Sequence, residues 1–192
     1  MSREHWLSLD STFSEIIALR WLVIGFAISF SGWHIGTNLF INEPPIWQNA
    51  IHFGGFAFLA SIIYPARFLG RSFLALDLAY GSIVAIAACW VVAAESRIYE
   101  ETLAITGQSW QFNFLDWLAG GILVIASIDF SRRVSGWVIP ILIIISLSYI
   151  LFFGEYLPGV FRAASLPLDD VLFRTIYNDE GLFGILANIS SS

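Results

Sequence analysis

Long apolar stretches separated by shorter polar connections run through the whole chain. A helix needs about 20 mostly apolar residues to cross a bilayer. Five stretches reach or approach that length: Ile16–Phe40, Ile46–Tyr64, Ser72–Ala94, Phe114–Phe130 and Gly136–Gly154. The fourth is the shortest and carries Asp116 and Asp129 near its ends. The pattern predicts an all-α integral membrane protein with about five transmembrane helices.

The polar segments divide the chain into three regions. Residues 1–15 contain a T-x-x-E capping box at Thr12 and Glu15, and we expect an interfacial segment that leads into the first helix. No basic region precedes a short apolar run there, so a removable signal peptide is not expected. Residues 16–156 form the predicted membrane domain, and residues 157–192 form a tail. Within the tail, Leu166–Tyr177 is a candidate for an amphipathic interfacial helix.

The distribution of arginines predicts the orientation. Cytoplasmic loops carry an excess of Lys and Arg, and this chain has no Lys. If the N-terminus is inside, six arginines lie on the inner side: Arg3, Arg20, Arg67, Arg71, Arg132 and Arg133. The remaining three lie outside: Arg97, Arg162 and Arg174. We therefore predict an N-inside, C-outside topology with an acidic outer face.

Composition narrows the class of function. Only 12% of residues are charged, against about 25% in soluble proteins, and the mean hydropathy is +0.75. The net charge of −6 argues against nucleic-acid binding, and no run of arginines forms a polybasic lipid patch. The lone Cys89 excludes an internal disulfide. Without a metal motif, a nucleophile–histidine arrangement or a phosphate loop, we predict a non-enzyme with no catalytic, cofactor or metal site.

Charged residues within or beside the spans are costly in lipid. Asp77 lies about one and a half turns into the third span. It is either a proton-relay carboxylate or the partner of Arg67, Arg71 or an arginine of another helix. Pairing is favoured, because relays need further acids or histidines at similar depth. Asp116, at the start of the fourth span, is expected to anchor the positive helix N-terminus.

The end of the fourth span combines an acid with two cations. Asp129, Arg132 and Arg133 have i, i+3, i+4 spacing and share one helix face. An internal ion pair and a docking contact to another subunit are compatible interpretations. Small residues and an aspartate share a face of the third span, which predicts close helix packing there: Asp77, Gly81, Ala85 and Ala88.

From Trp47 onward the chain resembles the small membrane subunit of TRAP transporters, particularly the N-terminal region of fused TAXI-type permeases. Gln48–Arg67 resembles the family's second helix, and Phe153–Gly159 and Glu180–Gly184 resemble two later stretches. Phe114–Trp137 resembles a D…G…(acid)-x-x-R-R-x-x-G signature, which corresponds here to Asp116, Gly120, Asp129, Arg132, Arg133 and Gly136. The aspartate before the double arginine is a departure, since glutamate is expected. The first 45 residues match only in character.

The resemblance implies a three-component importer of small organic anions, driven by an ion gradient, in a bacterial inner membrane. A periplasmic substrate-binding protein captures the solute, the large permease subunit carries the transport sites, and the small subunit acts as a scaffold in membrane lipid. The tail would lead to, or pack on, the large subunit. Candidate contacts with the large subunit are Asp77, Asp116, Asp129, Arg132, Arg133, Glu155, Tyr156, Glu180 and Gly181. Candidate contacts with the binding protein are Glu95, Arg97, Glu100, Glu101 and Arg162.

Two alternatives stay open. His34 and His52 lie near the outer ends of neighbouring spans and could ligate a haem in an electron-transfer subunit. The chain could also be a stand-alone membrane scaffold unrelated to transport. The residues do not specify the transported solute or whether Na⁺ or H⁺ drives transport. They also do not show whether the chain is a separate subunit or part of a fused permease.

Overall fold

The computed structural model describes residues 17–40, 45–68, 71–72, 74–105, 111–178 and 181–182. The chain divides into two units, Met1–Asn42 and Glu43–Ser192. The first unit contains helix α1 (Ile17–Phe40), which matches the first predicted span within one residue. The predicted interfacial segment and its capping box at Thr12 and Glu15 lie outside the described residues.

The second unit is almost entirely helical. Its elements are α2 (Pro45–Ile63), strands β1 (Arg67–Phe68) and β2 (Arg71–Ser72), and helices α3 (Leu74–Ile105), α4 (Phe114–Ser135), α5 (Val138–Ser148) and α6 (Leu168–Leu172). A π-helical turn, Tyr149–Phe153, and a 3₁₀ turn, Gly154–Tyr156, prolong α5. A 3₁₀ turn occupies Gly159–Phe161, and a π-helical turn, Phe173–Tyr177, prolongs α6.

Within the described residues, four segments are long and apolar enough to cross a membrane: Ile46–Ile63, Leu74–Ile98, Phe114–Ser135 and Val138–Tyr156. They correspond to the second to fifth predicted spans, and they confirm the helical, membrane-type character of the chain. The 24-residue helix α1 is not one of these four. The count of five spans and the N-inside orientation therefore stay predictions.

Helices α2 and α3 pack antiparallel along small residues. A Cβ atom placed on Gly54 would lie 3.0 Å from the Cβ of Ala88, and one placed on Gly81 would lie 2.9 Å from the Cβ of Ser61. At the far end, Trp47 donates a hydrogen bond to Glu95 across 3.1 Å. The predicted close packing along the Gly81 and Ala88 face is thus confirmed, with α2 as the partner.

Helix α3 extends well beyond its predicted span. The sequence pattern ends this span at Ala94 and predicts an outer loop over Glu95–Asn113, whereas α3 continues to Ile105. That boundary was wrong because a fall in hydropathy marks the end of a span, while a helix ends where glycine, proline or a cap interrupts it. A polar sequence without such residues simply continues the helix into water.

A short hairpin that the sequence analysis did not predict joins α2 to α3. Pro65 lacks a backbone N–H and follows the end of α2, so the helix cannot continue. Two antiparallel residue pairs then form, Arg67 with Ser72 and Phe68 with Arg71. The hairpin therefore places two arginines at the start of α3.

The last helices fold back on α4. Gly136 has a φ of 80°, a left-handed conformation that glycine tolerates, and it ends α4 directly before α5. The tail is helical over Leu168–Tyr177, close to the predicted Leu166–Tyr177, and it buries one face. Leu172 lies against Gly120, where an added Cβ would come within 2.9 Å of its side chain. The tail thus packs on α4.

Candidate functional site

The charged residues of the sequence signature form two clusters at opposite ends of the α3–α4 pair. We call Asp77, Asp129, Arg132 and Arg133 the hairpin-end cluster, and Trp90, Arg97, Asp116 and Tyr177 the tail-end cluster. Antiparallel packing brings the first turn of α3 beside the last turn of α4, which assembles the hairpin-end cluster. The same packing places the later part of α3 beside the first turn of α4, where the tail also arrives.

Arg133 is the centre of the hairpin-end cluster. Its Nη1 lies 2.9 Å from Asp77 Oδ1, and its Nε lies 2.6 Å from Asp129 Oδ2. Nη1 also donates to the backbone carbonyl of Tyr64 across 3.0 Å. The guanidinium lies 5.3 Å from the ring centre of Tyr80 and 5.4 Å from that of Phe130. With only 9% of its side chain exposed, this cation is stabilised by two carboxylates, a carbonyl and two aromatic rings.

Asp77 is similarly enclosed. Its carboxylate is 4% exposed, pairs with Arg133 and accepts the backbone N–H of Ala66 at 3.0 and 3.2 Å. Its partner is therefore an arginine of another helix, one of the pairings weighed above. Asp77 thus joins the start of α3 both to α4 and to the segment that follows α2.

Arg132 is the most exposed residue of the hairpin-end cluster. Its Nη2 lies 2.8 Å from Asp129 Oδ1, and 39% of its side chain is exposed. The guanidinium lies 5.5 Å from the ring centre of Trp137. The predicted internal pairing of Asp129 with both arginines is thus present. Docking to another subunit stays a prediction.

Asp116 is the centre of the tail-end cluster and is fully buried. It forms a capping box with Asn113: its carboxylate accepts the Asn113 N–H at 2.8 Å, and its own N–H donates to Asn113 Oδ1 at 2.9 Å. The indole of Trp90 donates across 2.9 Å, and Nη2 of Arg97 lies 2.6 Å from both carboxylate oxygens. The predicted helix anchor is therefore also an ion pair between α3 and α4.

The tail is fastened to this cluster by Tyr177. Its hydroxyl donates to the backbone carbonyl of Asp116 across 2.8 Å, and the ring is buried. Burial, reinforced by the nearby charge of Asp116 and opposed by Arg97, raises the pKa of the Tyr177 hydroxyl above its usual value. The hydroxyl consequently stays protonated and keeps its donor role across physiological pH.

The other predicted contact residues are dispersed. Glu95 accepts from Trp47 on α2, and Glu155 accepts from both the N–H and the hydroxyl of Ser165. The side chains of Tyr156 and Arg162 are exposed, and the Gly181 N–H donates to the Asn178 carbonyl. Three of the predicted residues lie outside the described side chains: Glu100, Glu101 and Glu180.

Sequence reasoning missed the neutral members of both clusters. The sequence offers Trp90 only as an aromatic residue near the end of a span and Tyr177 only as the last residue of the predicted tail helix. The carbonyl of Tyr64 and the amide of Ala66 leave no trace in composition. The Tyr64-Pro65 step was the available signal, because a proline that ends a helix leaves carbonyls without intrahelical partners.

No metal or cofactor site emerges from the part of the chain that the structure describes, where no three histidine, cysteine or acidic residues group as metal ligands. The haem candidates His34 and His52 fall in the two separate units. One groove between α3 and α4 and another between α4, α5 and the tail are lined almost wholly by apolar side chains. The chemistry of the described polar groups is ion pairing between helices.

Comparisons with known proteins do not assign the chain to a family. No protein-family model matches it, and no curated protein or solved structure is significantly similar to it.

Proposed function

We propose that this chain is the small scaffold subunit of a TAXI-like TRAP transporter in a bacterial inner membrane. It would assemble with a large permease subunit and a periplasmic binding protein to import small organic anions. The proposal rests on four stretches that resemble the family in sequence order, and the packing of the second-helix stretch and the double-arginine stretch supports a scaffold role.

The main support for the proposal is that the residues of the sequence signature stabilise the fold. Asp116 caps α4 and pairs with Arg97, and Gly120 allows Leu172 to approach. Gly136 ends the helix with a positive φ, and Arg133, which also pairs with Asp129, joins α4 to Asp77 of α3. A sequence signature made of caps, close contacts and ion pairs is expected of a rigid brace.

Contacts between two of the resembling stretches add support. Arg133 belongs to the double-arginine signature, and it donates to the carbonyl of Tyr64 in the Tyr64-Pro65 step of the second-helix stretch. The two stretches are therefore held together through one buried cation. Transport sites instead use interrupted helices and polar groups near the bilayer midplane, and the grooves beside α4 are apolar.

Exposed apolar surface is available for a partner. Only 11% of the Val138–Tyr156 span is buried within the chain, against 44% of Ile46–Ile63. Large side chains such as Leu142 and Ile145 are each 58% exposed. We expect the α5 face to contact either lipid or the large subunit, and the α2–α3 interface to be internal.

The test is affinity purification of the chain from its native membrane in mild detergent, followed by mass spectrometry of the proteins recovered with it. Recovery of a large multispanning permease is the expected result. A photo-crosslinking residue at position 142 should capture that permease if α5 is the contact face, whereas one at the buried position Val84 should not.

Recovery of the chain alone, from several detergents and at native expression, would contradict the scaffold proposal. An absorption spectrum of the same sample provides an independent check, because a Soret band would identify a haem subunit instead. Loss of organic-anion uptake on deletion of the chain, restored by the wild-type sequence, would connect the complex to transport.

A further inference from the structure

We propose that the hairpin end of the second unit binds the headgroup of an anionic phospholipid, with the phosphate on Arg132 and an acyl chain along the exposed start of α5. This site is independent of the transporter proposal and requires only that the helices lie in a membrane. A protein recognises an anionic phospholipid with a cation at the level of the headgroup and an adjacent apolar surface for the acyl chain.

Arginines from two parts of the chain lie at this end. The backbone contacts of Tyr64 and Ala66 with Arg133 and Asp77 place the β1–β2 hairpin directly beside the hairpin-end cluster. The backbone of the hairpin places Arg67 and Arg71 at this end. The described side chains here include Arg132 and Arg133, paired with Asp77 and Asp129. The sequence has no run of arginines, so it is the fold that brings the hairpin arginines to the double arginine.

The two aspartates are already committed to the buried part of the cluster. Asp77 is 4% exposed and pairs with Arg133, and Asp129 is shared between Arg133 and Arg132. Arg132 uses Nε and Nη2 on a single oxygen of Asp129, and its side chain is 39% exposed. A guanidinium has five N–H donors, so it can hold a phosphate while keeping its carboxylate partner.

The surroundings of Arg132 match the boundary between headgroups and acyl chains. Its guanidinium lies over the ring of Trp137, which is 61% exposed, and indole rings favour this level of a bilayer. Val134 precedes the tryptophan by three residues and Val138 follows it directly, and they are 49% and 70% exposed. The turn at Gly136 brings the cation, the indole and the apolar wall together, as a phospholipid requires.

The experiment is native mass spectrometry of the full chain in detergent, titrated with phosphatidylglycerol or with phosphatidylcholine. The wild-type chain should bind phosphatidylglycerol more tightly than phosphatidylcholine. Arg132→Gln should weaken phosphatidylglycerol binding about fivefold, the effect expected for one arginine at an anionic headgroup. It should weaken phosphatidylcholine binding less, because the choline cation of that headgroup offsets the charge of its phosphate.

Two further variants keep the test decisive. Arg162→Gln removes an exposed arginine beyond the far end of α5 and should not change lipid preference. The double variant Arg67→Gln/Arg71→Gln changes two arginines of the hairpin at the same end of the helices and should also weaken phosphatidylglycerol binding, even if Arg132→Gln folds poorly. Equal binding of the two lipids by the wild-type chain, or equal losses from Arg132→Gln and Arg162→Gln, would overturn the proposal.

Discussion

The two ends of the α3–α4 pair both bury carboxylates, but they neutralise them by different means. At the hairpin end, each carboxylate is paired with an arginine: Arg133 lies between Asp77 and Asp129, and Arg132 forms a further ion pair with Asp129. At the tail end, fully buried Asp116 has one cation, Arg97, and its other donors are an indole and a backbone amide. The hairpin end is thus an ionic junction, and the tail end is chiefly a capped helix start.

Because of this difference, we expect a substitution at one end to lower the stability of the protein by a different amount from a substitution at the other. Removing the central cation of an ionic junction leaves uncompensated carboxylates in a buried site. Removing the carboxylate of a capped helix start leaves Arg97 with a side chain that is 29% exposed and can turn toward water. We therefore expect the hairpin end to be the more sensitive of the two, and the predictions below test that ranking.

The largest effect is expected for Arg133→Met. The change leaves Asp77 without its cation and removes the link to α2, so it should lower the free energy of unfolding by about 3–5 kcal/mol. The measurement is denaturation by SDS in mixed micelles, followed by tryptophan fluorescence. Arg132→Met is the matched control and should cost less than about 1 kcal/mol, since exposed pairs contribute little. Equal losses from the two variants would show that burial does not decide the effect.

The residues of this junction also show which contacts can be predicted from the sequence and which cannot. The spacing of Asp129 and the double arginine predicted their pairing on one helix face, because the period of a helix is fixed. The partnership of Asp77 with Arg133 was only one of several possibilities, since it depends on which helices are neighbours. The hairpin, the end of α3 at Ile105 and the placement of Arg67 and Arg71 beside the double arginine arise from backbone geometry and tertiary packing, which hydropathy does not encode.

Substitution of Asp116 should have the next largest effect. Asp116→Ala removes the capping acceptor and the partner of Arg97 together and should cost about 2–3 kcal/mol. The Asn113 amide and the Trp90 indole donate to different oxygens of Asp116, so Asp116→Asn keeps an acceptor for only one of them. It should therefore recover only a minor part of that loss. The same SDS titration measures both. If the two variants were equally unstable, charge rather than capping would dominate at this end as well.

Close approach of α2 and α3 behind the hairpin end predicts a third effect. A Cβ on Gly81 would overlap the Ser61 hydroxyl and lie 3.2 Å from the Phe58 Cα. Gly81→Ala should therefore cost about 1–3 kcal/mol through overpacking. Gly121→Ala is the matched control, because nothing lies within 4 Å of its added Cβ, and alanine favours the helix. If Gly81→Ala left the free energy of unfolding unchanged, α2 and α3 could move apart without a loss of stability.

The smallest effect concerns the attachment of the tail. Tyr177→Phe removes only the hydroxyl that donates to the Asp116 carbonyl, and the aromatic packing stays, so we expect a loss of about 1 kcal/mol. Burial raises the pKa of this hydroxyl. The wild-type advantage should therefore be constant from neutral pH up to the ordinary tyrosine pKa near 10. It should then shrink at higher pH, because ionisation is favoured in the unfolded chain. Unfolding of the two proteins at a series of pH values measures this difference. A wild-type advantage that increased above pH 10 would mean that the folded site stabilises the phenolate, contrary to a hydroxyl that attaches the tail as a donor.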